Sequence, residues 1–397
     1  MSTGKEALFP NYGRFPIRLV KGEGSRVWDE AGKEYLDFVS GIAVTNLGHA
    51  PAAVKEALVK QLGELWHVSN LFEIPNQEKL AALLARLSCA DLAFFCNSGA
   101  EANEAAIKLA RRYQRKVRGN DRYEVVTFNK SFHGRTLATL TATGQEKVKD
   151  GFDPLPTGFV HVDYNDVEGL KAAVGERTAA IMLEFVQGEG GVNVAQPAFL
   201  EAVKALCEEH GLLLIADEIQ TGIGRTGTLF AYEQFGIEPD ILTLAKGIGS
   251  GFPMGAMLGK AYLREGFTAG SHGSTFGGTP IACAAAIATL ETIVNDKLPA
   301  RAKALGEAGM ERLRSKLAGH PSFVEVRGRG FLIGVELKEP VADIVAKAQE
   351  AGLLVVTAGP NVLRLLPALT ISEEEWYRGL DLLASVIAAD AKNGIYA

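Results

Sequence analysis

Cysteine is scarce in this chain, with four residues among 397. None of them lies in a CxxC pair or at a metal-binding spacing, so we expect free thiols in a reducing compartment and no disulfide framework. The seven histidines form neither an H-x3-H nor an HExxH set, and we therefore expect no metal. The four cysteines are Cys89, Cys96, Cys207 and Cys283.

Long apolar runs and a strong charge of one sign are also absent. No run approaches the ~18 apolar residues of a membrane span, and residues 1–6 lack a charged-then-apolar signal pattern. We therefore expect a cytoplasmic protein without a membrane partner. The net charge of -6 gives no support for nucleic-acid binding. One basic stretch, residues 111–118, lies at the tail of a helix predicted to run to about residue 115. We interpret it as a solvated helix end, where cations interact favourably with the helix dipole.

The residues that are present are typical of a large α/β protein. Apolar residues make up 47% and charged residues 22% of the chain, and the length exceeds that of one small core. From about residue 91 short apolar runs alternate with helical patterns, which predicts a mostly parallel sheet with helices on both faces. Residues 51–295 are expected to form this large domain and residues 296–397 a small α+β domain. Residues 1–50 contain a predicted hairpin and are expected to join the small domain.

Two predicted strands of the large domain end next to ionisable residues. Asp217 and Glu218 follow the strand at 212–216, and Lys246 follows the strand at 241–245. Ligands bind outside the carboxyl ends of parallel strands, so these side chains are expected at one ligand-binding edge. A lysine held there can form a Schiff base with pyridoxal 5'-phosphate (PLP), and an aspartate can keep the cofactor's pyridine nitrogen protonated. A structural salt bridge between the two strand ends is the alternative.

Two turns rich in small residues are candidates for binding a phosphate. Residues 98–102 (SGAEA) pass from a predicted strand into a helix, where free backbone N–H groups and the helix dipole attract an anion. The alternative is a helix cap, and the two interpretations are compatible. Residues 273–278 (GSTFGG) place two hydroxyls among glycines and could donate further hydrogen bonds.

Aromatic and arginine side chains supply candidates for binding a planar ring and a carboxylate. Phe132 follows a predicted strand and could lie on a ring, and Arg135 could hold a carboxylate through two hydrogen bonds. Arg364 lies inside an apolar strand, where a charge requires a partner or a ligand. A core phenylalanine, a surface arginine and a structural ion pair are the corresponding alternatives.

One glycine pattern raises a different class of enzyme. Gly222, Gly224 and Gly227 form a GxGxxG sequence after a predicted strand, as in an NAD-dependent dehydrogenase. Here the acidic pair at 217–218 lies between the strand and the glycines and would repel a pyrophosphate. The dehydrogenase therefore remains a remote alternative.

Taken together, these motifs resemble the class III (ornithine-type) PLP-dependent aminotransferases, which have the α/β fold of type I PLP enzymes. The motifs occur in the family's order over nearly the whole chain. They are residues 98–102, 131–136, 187–191, 217–227, 246–247, 273–278 and 364–367.

The resemblance implies a role for each residue of a PLP site. Lys246 bonds to the cofactor and then transfers the proton, and Asp217 pairs with the pyridine nitrogen. Gln220 lies near the phenolic oxygen and Phe132 stacks on the ring. The phosphate is held by Ser98, Gly99 and Ala100, and by Thr275 from the partner subunit of a homodimer. Ser274 of that subunit reaches the phosphate or the substrate.

Within the family, residues 41–44, 66–70 and 95–99 resemble the members that use N2-acetyl-L-ornithine and 2-oxoglutarate in arginine biosynthesis. This likeness implies ping-pong transamination in which Arg135 holds a distal carboxylate and Arg364 holds the α-carboxylate of glutamate. Glu189 would cover Arg364 when acetylornithine is bound, and Tyr12 would line the entrance. Ile42 stands where ornithine aminotransferases tend to carry Tyr, which argues against free ornithine. Succinylornithine, N-succinyldiaminopimelate, acetyl-lysine-type amines and 4-aminobutyrate remain alternative substrates.

Overall fold

The computed structural model of the protein describes residues 4–393. Residues 1–3 and 394–397, the ends of the expected first and last segments, lie outside the described residues. The strands are β1 (Leu19–Glu23), β2 (Arg26–Asp29), β3 (Glu34–Asp37), β4 (Leu92–Cys96), β5 (Glu124–Phe128), β6 (Phe159–Val162), β7 (Thr178–Leu183), β8 (Val186–Gln187), β9 (Asn193–Val194), β10 (Leu213–Asp217), β11 (Ile241–Leu244), β12 (Gly255–Gly259), β13 (Phe323–Arg329), β14 (Leu332–Leu337), β15 (Leu353–Leu354), β16 (Val356–Thr357) and β17 (Val362–Leu365).

Eleven helices accompany these strands in the described residues. They are α1 (Ser40–Ala43), α2 (Ala52–Leu62), α3 (Pro75–Leu87), α4 (Gly99–Arg112), α5 (Leu137–Ala142), α6 (Val167–Ala173), α7 (Pro197–His210), α8 (Pro280–Asn295), α9 (Leu298–Leu317), α10 (Ala342–Glu350) and α11 (Glu373–Asn393). α4 runs into a π-helical turn at Tyr113–Val117, so the α-helix ends three residues before the predicted position. No helix of residues 4–393 has both the length and the apolar character needed to cross a membrane.

The centre of the molecule is a seven-stranded sheet in the order β4-β12-β11-β10-β7-β5-β6. The pairs β10–β11, β10–β7, β5–β7 and β5–β6 are parallel, which confirms the predicted mostly parallel sheet. β12, which the sequence analysis did not predict, runs antiparallel between β11 and β4. The sheet is therefore mixed at one edge.

Helices cover both faces of this sheet, and β10 shows why. Leu213 and Ile215 belong to a core cluster that includes the alanine-rich face of α4, whereas Leu214 and Ala216 belong to the larger core on the opposite face. Successive side chains of a strand point to opposite faces, so a strand that is buried on both sides is apolar throughout.

Two smaller sheets involve the ends of the chain. β13, β14, β17 and β16 form one antiparallel sheet. The other has the order β1-β2-β3-β15, in which β15 of the C-terminal part pairs in parallel with β3 of the N-terminal part. The proposed division at residues 50 and 295 stays a prediction.

Candidate active site

A cavity of about 420 Å³ opens at the carboxyl ends of β10 and β11. Asp217, the last residue of β10, and Lys246, two residues after β11, both line it. Among the described residues these two side chains form no salt bridge with each other, so the structural ion pair considered from the sequence is wrong. Both ionisable groups instead face the same space.

Asp217 is buried and held by donors from three segments. Its Oδ2 accepts hydrogen bonds from Asn103 Nδ2 at 2.8 Å and from His133 Nδ1 at 2.7 Å. Its Oδ1 accepts from the backbone N–H of Ile219 at 3.1 Å. Donors on both oxygens fix the orientation of the carboxylate. Asp217 is therefore oriented to face a cationic group in the cavity.

The neighbouring Glu218 points away from this cavity. Its carboxylate accepts hydrogen bonds from the backbone N–H groups of Ala231 and Tyr232 and from the Thr221 hydroxyl. Burial raises the pKa of Glu218 to about 7, although these donors oppose the shift. The two consecutive carboxylates thus have different environments, one open to the cavity and one inside the core.

Lys246 has the properties of an amine that is readily deprotonated. Burial lowers its pKa below that of a free lysine, although Glu189 opposes the shift. Its backbone is left-handed, with φ of 46°, a strained conformation for a residue with a side chain. A neutral amine at this place can act as a nucleophile and as a base.

The start of α4 forms one wall of the cavity and is built to receive an anion. The Ser98 hydroxyl caps the helix by accepting from the Glu101 N–H at 3.2 Å. The N–H groups of Gly99 and Ala100 have no backbone acceptor in the described part of the chain. A Cβ on Gly99 would lie 2.8 Å from the Ile219 side chain, so glycine is required for this close packing. Both the cap and the open donors predicted from the sequence are therefore present together.

An aromatic ring, a cation and a carboxyl group also line the cavity. Phe132 and Arg135 both line the cavity, and the Arg135 guanidinium lies 5.5 Å from the Phe132 ring centroid. Glu184 also lines it and accepts from the Phe132 N–H at 3.1 Å. Burial and the nearby Asp217 raise the pKa of Glu184 well above that of a free carboxyl, which favours its neutral form.

Arg364 lies behind the cavity lining and is paired with Glu189. The two side chains form two hydrogen bonds, Nη1 to Oε1 at 2.8 Å and Nη2 to Oε2 at 3.1 Å. Gln220 bonds to both partners, accepting from Arg364 and donating to Glu189. Despite burial, Arg364 and Lys246 lower the pKa of Glu189 to about 2. Glu189 is thus a charged side chain between the cavity and a buried guanidinium.

Besides Arg364, three residues expected at the site are not among those that line the cavity in the described chain. Tyr12 is 68% exposed and has Arg14 over its ring. Thr275 is exposed, and Ser274 accepts a hydrogen bond from Asn97 at 3.2 Å beside the cavity rim. Residue 97 does line the cavity, so Ser274 is near the rim without entering it.

The GxGxxG sequence does not open a helix. Gly224 and Gly227 lie in consecutive turns with positive φ, and the next regular segment is a 3₁₀ turn at Ala231–Gln234. A Cβ on Gly224 would contact Leu369, and one on Gly227 would contact Lys303, each at 2.8 Å. These glycines permit close packing with the C-terminal part of the chain. A dinucleotide site needs a strand followed by a helix N-terminus, so the dehydrogenase alternative is wrong.

Comparison with known proteins identifies the family. The family model of the class III aminotransferases matches residues 8–387. The chain belongs to the class III aminotransferases. It is 52% identical over 384 residues to the acetylornithine aminotransferase of Bacillus subtilis, covering 96% of this chain and 98% of that protein.

Solved structures agree in fold. The N-acetylornithine aminotransferase of Stenotrophomonas maltophilia is 40% identical with a TM-score of 0.83, covering 95% of this chain and 97% of the other. The ornithine aminotransferase of Toxoplasma gondii, a structure with PLP in partial occupancy, is 36% identical with a TM-score of 0.94, covering 97% and 92%. The type I PLP fold inferred from the motifs is therefore confirmed.

PLP is the cofactor of class III aminotransferases, and the cavity of this aminotransferase fits it. An anion cradle, an aromatic ring, a carboxylate and a deprotonatable lysine surround one space. Neither Asn103 nor the contact between His133 and Asp217 was predicted from the sequence. A buried Asn in an alanine-rich helix face, four residues after Gly99, is the signal that could have identified the first.

Proposed function

We propose that this aminotransferase transfers the terminal amino group of N2-acetyl-L-ornithine to 2-oxoglutarate, giving N-acetylglutamate 5-semialdehyde and glutamate, a step of arginine biosynthesis. The observation that carries this proposal is the identity of about half of all residues with proteins named acetylornithine aminotransferase, over 96% of the chain. The arrangement of two arginines around one lysine supports it, because the two substrates differ in where their carboxylates lie.

The chain's own residues would bind and orient PLP as follows. Ser98, Gly99 and Ala100 would hold its phosphate, Phe132 would lie against its ring, and Gln220 would approach its phenolic oxygen. Asp217 would hold the proton on the pyridine nitrogen. When bound, PLP supplies the electron sink that permits cleavage of a C–H bond next to nitrogen.

Lys246 would attach the cofactor and afterwards move the proton. Its lowered pKa favours the neutral amine, which both tasks need. Asp217 and Glu189 lie near enough to influence its charge. The reaction therefore depends on an amine held between carboxylates in a space closed by protein.

Arg135 and Arg364 would distinguish the two substrates. Acetylornithine has no carboxylate next to its reacting amine, whereas glutamate has one. We assign the distal carboxylate of either substrate to Arg135. Glu189 would neutralise Arg364 for acetylornithine and release it for the α-carboxylate of glutamate, and the two hydrogen bonds between them support this gate.

Changing Glu189 to Ala is expected to weaken the acetylornithine half-reaction by about tenfold in kcat/KM, because an unneutralised guanidinium would face an uncharged methylene. The glutamate half-reaction should change by less than about threefold. Single-turnover measurement of each half-reaction tests this. Glu325→Ala, which removes an exposed partner of Arg327, is the matched control. Equal losses in both half-reactions would contradict the gate.

The absorption spectrum of the purified protein tests the reaction as a whole. We expect N-acetylornithine to abolish the visible absorption of the bound cofactor and 2-oxoglutarate to restore it. N-succinylornithine, N-succinyldiaminopimelate, acetyl-lysine and 4-aminobutyrate are the comparison amines. A faster response to one of them would replace acetylornithine as the substrate and leave the cofactor chemistry intact.

We also propose a homodimer in the cytoplasm, with each active site completed by the partner. Residues 66–72 and 274–277 lie together, since Asn70 donates hydrogen bonds to Ser274 O and Gly277 O. Large apolar side chains are exposed there: Leu71 at 86%, Phe72 at 68%, Trp66 at 61% and Phe276 at 60%. A second copy would cover this patch and bring Thr275 to the partner's phosphate site. The four free cysteines support a reducing compartment.

Subunit hybrids test the shared site. Thr275→Val is expected to weaken PLP binding by about tenfold through loss of one hydrogen bond to an anion. A heterodimer of Thr275→Val with Lys246→Ala should recover one site of wild-type affinity, since both defects fall in the same composite site and leave the other site intact. Differently tagged subunits allow the hybrid to be purified and titrated with PLP. A monomer in solution, or a hybrid without recovery, would contradict the shared site.

A further inference from the structure

Asn103 lies in the middle of α4, fully buried beneath Asp217. Its Nδ2 donates to Asp217 Oδ2 and to the carbonyl oxygen of His133, each at 2.8 Å. Its Oδ1 accepts from the Thr243 hydroxyl at 2.7 Å. Every polar atom of the amide therefore has a partner, although the side chain stands inside an otherwise apolar helix face.

Thr243 fixes which way this amide points. Thr243 lies on β11 directly opposite Asp217 on β10. Its hydroxyl donates to the amide oxygen, which leaves both amide N–H groups for the other side. In the reverse orientation the oxygens of Asn103 and Asp217 would face each other and repel. The strand pairing and the helix thus specify one orientation.

This orientation makes the two oxygens of Asp217 unequal. Oδ2 accepts from both Asn103 and His133, whereas Oδ1 accepts only the Ile219 N–H. A carboxylate oxygen has about two acceptor positions. Oδ2 is therefore saturated, and Oδ1 retains capacity for a donor in the cavity.

We propose that Asn103 is a positioning residue that, oriented by Thr243, holds Oδ2 of Asp217 so that Oδ1 is presented to the pyridine nitrogen of PLP. The inference rests on the proposed role of Asp217. Asn103 is buried and is not among the residues that line the cavity, so it would act through the carboxylate. Without Asn103, Oδ2 would keep only the hydrogen bond to His133 and would regain capacity for another donor.

The first test is the affinity of the apoprotein for PLP. Asn103→Leu keeps a similar volume and removes both donors, and we expect the dissociation constant to rise by about 10- to 100-fold. Gln114→Leu is the matched control. Gln114 is a buried amide just beyond α4 that bonds only to the backbone oxygens of Ala179 and Gly211 and to Asn120. The Gln114→Leu variant should have lower stability and an unchanged dissociation constant for PLP.

Two further variants separate positioning from packing. Thr243→Val removes the hydroxyl that orients the amide and should weaken PLP binding by about threefold to tenfold. In the Asn103→Leu background it should have no further effect, since Thr243 acts through Asn103. If the losses of PLP affinity caused by the two substitutions add fully, Thr243 does not act through Asn103 and the proposal is overturned. If Asn103→Leu does not fold, the dissociation constant of Thr243→Val for PLP decides the test, and an unchanged value would overturn the proposal.

Asn103→Asp provides a pH signature that a packing defect would not produce. The introduced carboxyl and Asp217 cannot both ionise freely. The pH below which PLP binding weakens, the acid limb of its pH profile, should therefore be higher in this variant. Glu184, His133 and Lys246 also face Asp217 and are unchanged in this variant. An unshifted acid limb would overturn the proposal.

Asp217→Asn distinguishes this inference from the proposed function. If Asp217→Asn weakens PLP binding and Asn103→Leu, folded, binds within twofold of wild type, only the role of Asn103 is wrong. If Asp217→Asn itself binds and reacts like wild type, the proposed role of Asp217 fails. Circular dichroism and thermal midpoints of the apoproteins establish that each variant is folded.

Discussion

Replacing Lys246 with alanine is expected to lower the rate of transamination by about 10⁴-fold. Lys246 is the only lysine that lines the cavity in the described part of the chain. Its lowered pKa makes it the amine available both to bond to the cofactor and to carry a proton. Other residues in the cavity with a raised or lowered pKa are carboxyl groups, which cannot replace an amine in the covalent step.

Chemical rescue identifies this role. A small primary amine added to Lys246→Ala should restore part of the proton transfer, and larger amines should restore less because the cavity is confined. Lys260→Ala is the control, since Lys260 follows the neighbouring strand β12 and pairs with Glu238 outside the cavity. PLP-free thermal midpoints check folding. Activity of Lys246→Ala near that of wild type would refute the assignment of the lysine.

The central sheet was predictable because its strands are buried on both faces. Short apolar runs such as 213–216 and 241–244 alternate with helical patterns. This alternation favours buried strands of a parallel sheet. β12 was not predicted, since its two glycines and its methionine give no clear strand pattern. Its antiparallel direction depends on contacts with β11 and β4, which are distant in sequence.

Pairing between the ends of the chain was predictable only in outline. The strand-like N-terminal residues indicated a small sheet, but nothing local specifies that Leu36 pairs with Leu353. The left-handed turn of α1 was not foreseen either. Ser40, Ile42 and Ala43 adopt positive φ there, and Asp37 stabilises the turn by accepting from the N–H groups of Val39 and Ser40.

The candidate site was predictable where motif and strand end coincide. Asp217, Lys246 and the turn at Ser98 meet because parallel strands end at one edge. The partners of Asp217 were not predictable from periodicity, since Asn103 and His133 come from separate segments. Tyr12 and Thr275 do not line the cavity in the described residues, and only the proposed homodimer would bring Thr275 to a phosphate site.

Asp217→Asn is expected to lower kcat by about 10²- to 10³-fold, whereas Glu218→Gln should keep kcat within about threefold. Asparagine is nearly isosteric but has no charge to stabilise a protonated pyridine nitrogen, so the cofactor would lose most of its capacity as an electron sink. Glu218 lies outside the cavity and accepts from two backbone N–H groups at 2.6 and 2.8 Å. Its change should instead lower stability, by about 1–3 kcal/mol at acidic pH, where the Glu218 carboxyl is protonated.

The pH dependence of stability gives this comparison a second readout. The pKa of Glu218 is raised to about 7 in the folded state, above its unfolded value, so the folded chain binds the extra proton. This contribution to stability is present below the unfolded pKa and is lost as the pH rises to about 7. Glu218→Gln should therefore remove the decrease of stability between about pH 4.5 and 7, whereas Asp217→Asn should leave this decrease unchanged. We assign a catalytic role to Asp217 and a structural role to Glu218 because the environments of these adjacent residues differ. Similar kcat losses for both variants would contradict this assignment.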